Sequence, residues 1–358
     1  MLRIAMQAGL IARNDKTTMD TNTLKQIALQ MVAPAKGILA ADESAKTIQK
    51  RFDKIGLQSN PDTNLAYRKM LFTSPGVEQY LSGVILFDET IRQSIDPSQS
   101  SGQVVLPIPK YLENKGILPG IKVDAGAVDL ENHPGEKITE GLDGLAARLA
   151  EYAKMGAKFA KWRAVITIGE GIPTDDCITE NAKRLAQYAL LCQQAGIVPI
   201  VEPEVLMDGD NTLEVCQEVT TKTLNAVFDQ LKEKGAILEG LILKPNMVIA
   251  GKNCPTRATN QEIAKATVNT FLEIVPAQVP GIVFLSGGQT PDQATENLYQ
   301  INLIPGSPWQ LSFSYGRALQ DEALTIWAGK EENVPAAQKV FLERCKKVSL
   351  ARAGKLSA

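Results

Sequence analysis

Histidine is almost absent from this sequence, because His133 is the single histidine among 358 residues. Catalytic zinc and iron sites usually take two or three imidazoles, and a Ser-His-Asp triad needs a histidine beside its nucleophile. His133 stands next to Pro134 and Gly135, a polar stretch that favours a turn. The sequence therefore predicts no metal site and no cofactor, and it leaves acid–base chemistry to lysine, glutamate, aspartate or tyrosine.

Cysteine is scarce too, with an odd count of five and no CxxC pair. This favours free thiols in a reducing compartment, and therefore a cytoplasmic protein, or a plastid stromal one if the source is a photosynthetic eukaryote. No apolar run reaches the ~18 residues of a membrane span, and the N-terminus has no apolar signal core. The 38 basic and 40 acidic residues leave a net charge of −2, so we expect neither a nucleic-acid partner nor a membrane partner.

Short apolar runs recur along the chain, and two of them, 84–87 and 282–285, are continuous. Strands that are buried on both faces of a parallel sheet have this pattern. Amphipathic helical stretches separate the runs, and two of these stretches stop at Gly156 and Gly235. The predicted strands are 37–42, 84–88, 120–124, 159–168, 197–202, 241–244, 282–286 and 311–315.

Eight successive βα units without an obvious linker favour an α/β fold closed into a (β/α)8 TIM barrel over an open doubly wound sheet. We predict one catalytic barrel domain over residues 23–350, with helical residues before its first strand and a helix after its eighth unit. A flexible N-terminal extension is expected over 1–22, and a mobile C-terminal tail over 351–358.

Ionisable residues stand at the carboxyl ends of five predicted strands, which is the end where barrel enzymes carry their active sites. Side chains two residues apart on a strand share a face, so Lys161 and Arg163 should point together, and so should Glu202 and Glu204. Any one of these charges is more often a structural ion pair, but their recurrence on five strands favours a catalytic site. The residues are Asp42, Lys122, Asp124, Lys161, Arg163, Glu202, Glu204 and Lys244.

Two further strand ends have the composition of anion-binding loops. Ser286, Gly287 and Gly288 follow the seventh strand, and the segment 314–317, with Arg317 opening the next helix, follows the eighth. Glycine lets backbone N–H groups approach an anion, and a helix N-terminus adds a favourable dipole. Phosphate sites in barrels are frequent at these two loops, so phosphate binding is the better interpretation of the pair.

Lys244 is the candidate for covalent catalysis through an imine. A free lysine has a pKa of ~10.4 and is a poor nucleophile at neutral pH, but a dry, cationic pocket lowers that pKa. Lys161 would supply the neighbouring charge, Glu202 would shuttle protons, and Asp42 would handle a substrate hydroxyl. The alternative is a lysine–glutamate network that only holds the barrel together, and it has difficulty explaining the phosphate-like loops.

The sequence closely resembles class I fructose-bisphosphate aldolase from about residue 24 to about residue 350, and it is nearer to the bacterial and plant branch than to the animal branch. The resemblance implies reversible cleavage of fructose 1,6-bisphosphate to dihydroxyacetone phosphate and glyceraldehyde 3-phosphate, in glycolysis, gluconeogenesis or carbon fixation. It leaves open whether sedoheptulose 1,7-bisphosphate is a second substrate, and it implies a homo-oligomer, either a tetramer or a dimer. The segments that carry it, in order, are 37–44, 120–124, 160–163, 201–204, 243–247, 285–289 and 312–317.

The resemblance also implies a role for each matching residue. Lys244 would form the imine, Glu202 would be the principal proton shuttle, Asp42 would act on the C4 hydroxyl, and Lys161 and Glu204 would tune the site. The pocket for the 1-phosphate would be Ser286, Gly287, Gly316 and Arg317, with Ser314 beside it. The pocket for the 6-phosphate would be Ser44, Thr47, Arg51, Lys122 and Arg163.

Two departures from the family pattern stand out. Where the animal-type pattern has Thr-Gly-Ser, this chain has Ala45, Lys46 and Thr47, and Thr47 keeps a hydroxyl for the phosphate. Better-known members end in a tyrosine that assists the second half-reaction, whereas this sequence ends in Ala358. Either another group delivers that proton, or protonation of the enamine is slow, or the sequence lacks its natural end.

Two rival functions remain. One is another imine-forming barrel of the transaldolase or deoxyribose-phosphate aldolase kind, against which two separate phosphate-binding regions argue. The other is a non-catalytic barrel that senses or scaffolds sugar phosphates. The set of Lys244, Glu202, Lys161 and Asp42 argues against it, because binding alone needs no neutralisable lysine.

Overall fold

The predicted apolar runs form the strands of a closed parallel barrel. The structure is a computed structural model, and it describes residues 20–96 and 105–356. Each of the eight barrel strands overlaps one predicted strand, and the predicted TIM-barrel fold is confirmed. The strands are β1 (Gly37–Ala41), β2 (Leu81–Leu86), β3 (Ser94–Ile95), β4 (Leu106–Pro107), β5 (Leu118–Lys122), β6 (Gly126–Asp129), β7 (Lys137–Glu140), β8 (Phe159–Ile166), β9 (Val198–Val205), β10 (Ile242–Leu243), β11 (Gly281–Phe284) and β12 (Gln310–Tyr315).

The barrel runs in the order β1, β2, β5, β8, β9, β10, β11 and β12, and β12 pairs with β1 to close it. The other four strands form two antiparallel ribbons that the sequence did not predict, β3 with β4 and β6 with β7. The β6–β7 ribbon lies beside β8, where the Thr139 hydroxyl donates to the carbonyl oxygen of Arg163 at 2.8 Å. This ribbon therefore braces the strand that carries Lys161.

Helices cover the outside of the barrel and connect its parallel strands. Several begin at residues that cap their first N–H groups, such as Thr174, Thr212, Thr259 and Thr290. Within the described ranges they are α1 (Thr21–Met31), α2 (Ala45–Phe52), α3 (Pro61–Phe72), α4 (Asp88–Ile91), α5 (Ile108–Asn114), α6 (Leu145–Lys154), α7 (Asp175–Gln194), α8 (Leu213–Glu233), α9 (Asn260–Ile274), α10 (Pro291–Leu303), α11 (Arg317–Trp327) and α12 (Val334–Arg352).

Alternate residues of each barrel strand belong to two different cores. Leu39 of β1 joins the layer between the strands and the outer helices, whereas Ile38 and Ala40 join a smaller cluster inside the barrel. On β8 the ring of Phe159 lies in the inner cluster, and Trp162 packs outward against Tyr188 of α7. The period of two in a β-strand therefore decides which side chains reach the barrel axis.

Helix α1 closes the amino-terminal end of the barrel. Its residues Leu24, Ala28 and Met31 are buried in the inner cluster, and Val32 lies so close to Gly281 of β11 that a side chain at that glycine would collide with it. The floor of the barrel is thus dry and apolar, which leaves the carboxyl ends of the strands as the open end.

Two helices extend into the segments that were predicted as a flexible extension and a mobile tail. Helix α1 begins at Thr21, inside the segment 1–22 that was expected to be flexible, and Asp20 caps it. Helix α12 runs to Arg352, inside the tail predicted at 351–358, because the buried guanidinium of Arg352 donates to the carbonyl oxygens of Val32 and Lys36. Residues 1–19 and 357–358 lie outside the described residues, so the extension and the tail stay predictions there.

Among the described residues, no helix is long and apolar enough to cross a membrane.

Replacing Gly120 with alanine tests the packing of the inner cluster. A Cβ at this position would collide with the ring of Phe159, so we expect Gly120→Ala to destabilise the protein by roughly 1–3 kcal/mol, as overpacking does. Urea denaturation followed by tryptophan fluorescence measures the change. In a Phe159→Leu background the same replacement should cost clearly less. Strictly additive effects would show that the ring does not occupy the space above Gly120.

Candidate active site

The open end of the barrel holds four ionisable side chains in direct contact. The Lys161 Nζ lies 2.8 Å from Asp42 Oδ2 and 3.3 Å from Glu202 Oε2, and the Lys244 Nζ lies 3.0 Å from Glu202 Oε1. Both lysines and Glu202 are buried. The structure therefore joins four of the five residues that were expected to be catalytic into one network, with Glu202 between the two lysines.

The strand period explains why these charges meet. Asp42 is two residues beyond Ala40, and Lys161 is two residues beyond Phe159, so both continue an inner face that begins apolar. The same spacing leads from Ile200 to Glu202 on β9, and from Ile242 of β10 to Lys244 just after it. On these four strands the inner side chains therefore change from apolar at the floor to charged at the opening.

Hydrogen bonds fix the backbone around Lys244. The Lys244 N–H donates to the carbonyl oxygen of Val201 at 2.8 Å, which extends the β9–β10 pairing past the two-residue strand. The buried amide of Asn246 accepts from the Val205 N–H at 3.0 Å and donates to the Thr220 hydroxyl at 3.1 Å. Asn246 is thus a positioning residue that the sequence did not identify. A polar amide within an apolar segment is the signal that could have found it.

Burial and ion pairing oppose each other in this network. Burial alone would raise the pKa of Asp42, but Lys161 and Lys244 outweigh it and lower the pKa to about 2. Glu202 is also buried, yet Lys161, Lys244 and Arg163 hold its pKa below the ordinary value. Burial would lower the pKa of Lys161, but Asp42 and Glu202 raise it above its usual range. Asp42 and Glu202 are therefore ionised at neutral pH, and Lys161 is a permanent ammonium.

Two more ion pairs line the edge of the opening. Arg163 Nε lies 2.5 Å from Glu204 Oε2, and the Lys122 Nζ lies 2.6 Å from Asp124 Oδ1. The Arg163 side chain is 43% exposed, so it can exchange its carboxylate for another anion. Glu204 therefore contacts Arg163 and not the central lysines, as its position on the inner face two residues beyond Glu202 allows.

The residues after β1 form a separate group. The Ser44 and Thr47 hydroxyls are 3.1 Å apart in the first turn of α2. Arg51 is paired with the buried carboxylate of Glu43 at 2.6 Å, and it lies beside Gly316 at the end of β12. Within the described residues, no hydrogen bond or ion pair joins Ser44, Thr47 or Arg51 to Lys122 or Arg163. Their assignment to one phosphate pocket therefore stays a prediction.

The loops after β11 and β12 are joined by a hydrogen bond. The Arg317 guanidinium, at the start of α11, donates to the carbonyl oxygen of Gly287 at 2.8 Å. Gly287 has a φ of +52°, a conformation that favours glycine. Ser286 is buried beside it, and the buried Ser314 hydroxyl has no hydrogen-bond partner among the described residues. Ser286, Gly287, Gly316 and Arg317, the residues predicted to bind the 1-phosphate, are what we call the phosphate cradle.

Three residues outside the predicted site also contact this region. The Gly288 N–H donates to the thioether of Met207 at 3.0 Å, and Lys252 lies against Gly288 while it pairs with Asp208. These contacts join loops that are distant in sequence, and the sequence carried no signal for them.

Metal ligands are not clustered in the described ranges 20–96 and 105–356, where no group of three or more histidine, cysteine, aspartate or glutamate side chains could hold an ion. The His133 Nε2 lies 3.4 Å from Asp176 Oδ2, outside the network around Lys161.

Comparison with known proteins shows which family the chain is part of. The family model for class I fructose-bisphosphate aldolase matches residues 23–358. The chain belongs to the class I fructose-bisphosphate aldolase family. The predicted family is confirmed, and so is the predicted enzyme, a fructose-bisphosphate aldolase.

Related aldolases are similar over almost their whole length. The probable class 1 fructose-bisphosphate aldolase of Xanthomonas campestris is 51% identical over 94% of this chain and 99% of its own. The enzyme of Dictyostelium discoideum is 50% identical over 91% of this chain and 90% of its own. A solved structure of the Plasmodium falciparum aldolase, in complex with TRAP and a small-molecule inhibitor, is 48% identical with a TM-score of 0.90, over 94% of this chain and 96% of that one. The predicted nearness to the bacterial and plant branch stays a prediction, because these identities hardly differ.

The low pKa of Asp42 predicts an acid-dependent loss of stability. The pKa falls from 3.8 to about 2 on folding, so the stabilisation is present above pH 3.8 and is lost as the pH falls towards 2. Between pH 5 and pH 3 the wild type should lose about 1 kcal/mol more unfolding free energy than Asp42→Asn. Denaturant titrations at both pH values measure this, with Asp143→Asn, an exposed carboxylate, as the matched control. An equal loss in wild type and Asp42→Asn would contradict the assignment.

Proposed function

We propose that this aldolase cleaves fructose 1,6-bisphosphate reversibly to dihydroxyacetone phosphate and glyceraldehyde 3-phosphate through an imine on Lys244. The observation that carries the proposal is the contact of Glu202 with both lysines, at 3.0 Å to Lys244 and 3.3 Å to Lys161. One carboxylate thus touches the amine that would react and the ammonium that would remain charged. The family membership supports the substrate.

Lys244 is the better nucleophile of the two lysines. Lys161 contacts two carboxylates, and this pairing raises its pKa, so it keeps its proton. Lys244 contacts Glu202 alone among the described carboxylates, at the end of a strand where a substrate can enter.

Glu202 would move the protons of imine formation. Glu202 can first accept a proton from Lys244 at Oε1, since the carboxylate lies within hydrogen-bond reach of that amine. The neutral amine then attacks the C2 carbonyl, and a second nitrogen proton passes to the carbonyl oxygen to form the carbinolamine hydroxyl. Glu202 returns the first proton to that hydroxyl, which leaves as water. Loss of water then leaves an iminium on Lys244.

Asp42 would act at the carbon–carbon cleavage. The C4 hydroxyl gives its proton to the Asp42 carboxylate while the C3–C4 bond breaks, and the electron pair of that bond moves into the iminium to give an enamine. A carboxylate with a pKa of about 2 is a weak base at rest. Transfer must therefore be concerted with bond cleavage, because the C4 hydroxyl becomes acidic only as it turns into the aldehyde.

The charged edge and the phosphate cradle would hold the two ends of the substrate. Arg317 and the Gly287 backbone would bind the 1-phosphate close to Lys244, and Arg163 and Lys122 would bind the 6-phosphate. Both of the latter cations are paired with carboxylates in the substrate-free protein, at 2.5 Å and 2.6 Å, so a phosphate would compete for them. A bisphosphate satisfies both regions, which favours this substrate over a monophosphate.

The cytoplasmic location and the homotetramer or dimer remain predictions. The five free cysteines, all of them buried, are compatible with a reducing compartment.

Trapping with borohydride tests the imine. Incubation with dihydroxyacetone phosphate and borohydride should reduce the imine to a stable adduct, and peptide mass spectrometry should find it on Lys244. Lys244→Met, which keeps the length of the side chain but not the amine, should form none. Lys161→Met is the matched control and should still form the adduct on Lys244, although more slowly. An adduct on Lys161, or one that persists in Lys244→Met, would refute the proposal.

A further inference from the structure

Lys252 is a basic residue beside the phosphate cradle that neither the sequence motifs nor the proposed mechanism uses. It follows β10 by nine residues and packs its side chain against Gly288, the residue next to Gly287 of the cradle. A Cβ placed on Gly288 would collide with the Lys252 stem and lie 3.1 Å from its Nζ. Glycine at this position is therefore what allows the ammonium to approach the loop.

The loop around Lys252 is held in place through Met207. The Lys252 N–H donates to the carbonyl oxygen of Met207 at 2.8 Å, and the Met207 thioether accepts from the Gly288 N–H at 3.0 Å. One residue of the β9 loop thus joins Lys252 to the cradle loop. The backbone of Lys252 is fixed, while its side chain is 46% exposed and can change its partner.

The ammonium of Lys252 is paired with Asp208 in the substrate-free protein. The Asp208 side chain is 59% exposed, so this is a surface ion pair of low strength. A dianionic phosphate at the cradle would be a stronger competitor for the ammonium than one solvated carboxylate.

The charge balance of the cradle calls for a second cation. A phosphate monoester carries about −1.5 to −2 charges at neutral pH, whereas Arg317 supplies one positive charge to the cradle. Arg51 also lies beside Gly316, but its charge is already compensated by the buried carboxylate of Glu43. Lys252 also borders a cavity of about 360 Å³, which Arg257 lines as well, and the lining contains no acidic side chain. The Lys252 side chain therefore has room to turn away from Asp208.

We propose that Lys252 is a substrate-binding residue that exchanges its pairing with Asp208 for the phosphate nearest the imine carbon. The inference rests on the proposed function, since it assumes that the cradle binds the 1-phosphate. Asp208 holds the ammonium beside Gly288 while the cradle is empty, and it competes with the phosphate when substrate arrives.

Two single substitutions separate this role from a structural one, because they should change KM in opposite directions. Lys252→Met removes the cation, so KM should rise about fivefold, the effect of about 1 kcal/mol, with kcat unchanged. Asp208→Asn frees the ammonium, so KM should fall about twofold. The substrate is fructose 1-phosphate, whose single phosphate must occupy the cradle, and the measurement is steady-state cleavage at low and high salt. Lys265→Met, an exposed charge on α9, is the matched control.

The outcomes separate a failure of the proposed function from a failure of the inference about Lys252. A wild type that cleaves neither fructose 1-phosphate nor fructose 1,6-bisphosphate refutes the proposed function itself. If the wild type is active and both variants raise KM, the ion pair only joins the two loops and the inference about Lys252 is wrong. An unchanged KM in Lys252→Met overturns it as well. A rise in Lys252→Met, a fall in Asp208→Asn and a weaker salt dependence of KM in Lys252→Met would together support it.

Discussion

The ammonium of Lys161, held between Asp42 at 2.8 Å and Glu202 at 3.3 Å, is the interaction on which the site depends. A buried cation costs several kcal/mol unless it is paired, so this lysine requires both carboxylates to be ionised and near. Glu202 is thereby fixed where its other oxygen reaches Lys244. The ion pair that compensates the buried charge of Lys161 thus also orients Glu202, the carboxylate that the proposed chemistry needs, towards Lys244.

The barrel supplies this geometry through the alternation of its strands. Inner positions that begin with Phe159 and Ile200 lead to Lys161 and Glu202 two residues later, so an apolar floor and a charged opening come from the same faces. Helix α1 covers the apolar floor and keeps it away from solvent. The low dielectric that strengthens each ion pair follows from the same arrangement.

Much of this could be predicted from periodicity and strand ends. The eight barrel strands, the shared face of Lys161 and Arg163, and the meeting of Glu202 with Lys244 all follow from local patterns. The β6–β7 ribbon did not, because each of its strands is four residues long, too short to show a clear period of two. The partners of single side chains were equally invisible, since the pairing of Lys252 with Asp208 depends on how two distant loops pack.

The central claim is that Asp42 and Lys161 act as one unit, and a double-mutant cycle on kcat/KM for fructose 1,6-bisphosphate tests it most directly. The cycle combines Asp42→Asn with Lys161→Met, and urea denaturation shows that each variant is folded. We predict strong non-additivity, with the double variant about as impaired as the worse single variant. Effects that multiply independently would contradict the account, because the two charges would then serve the reaction separately.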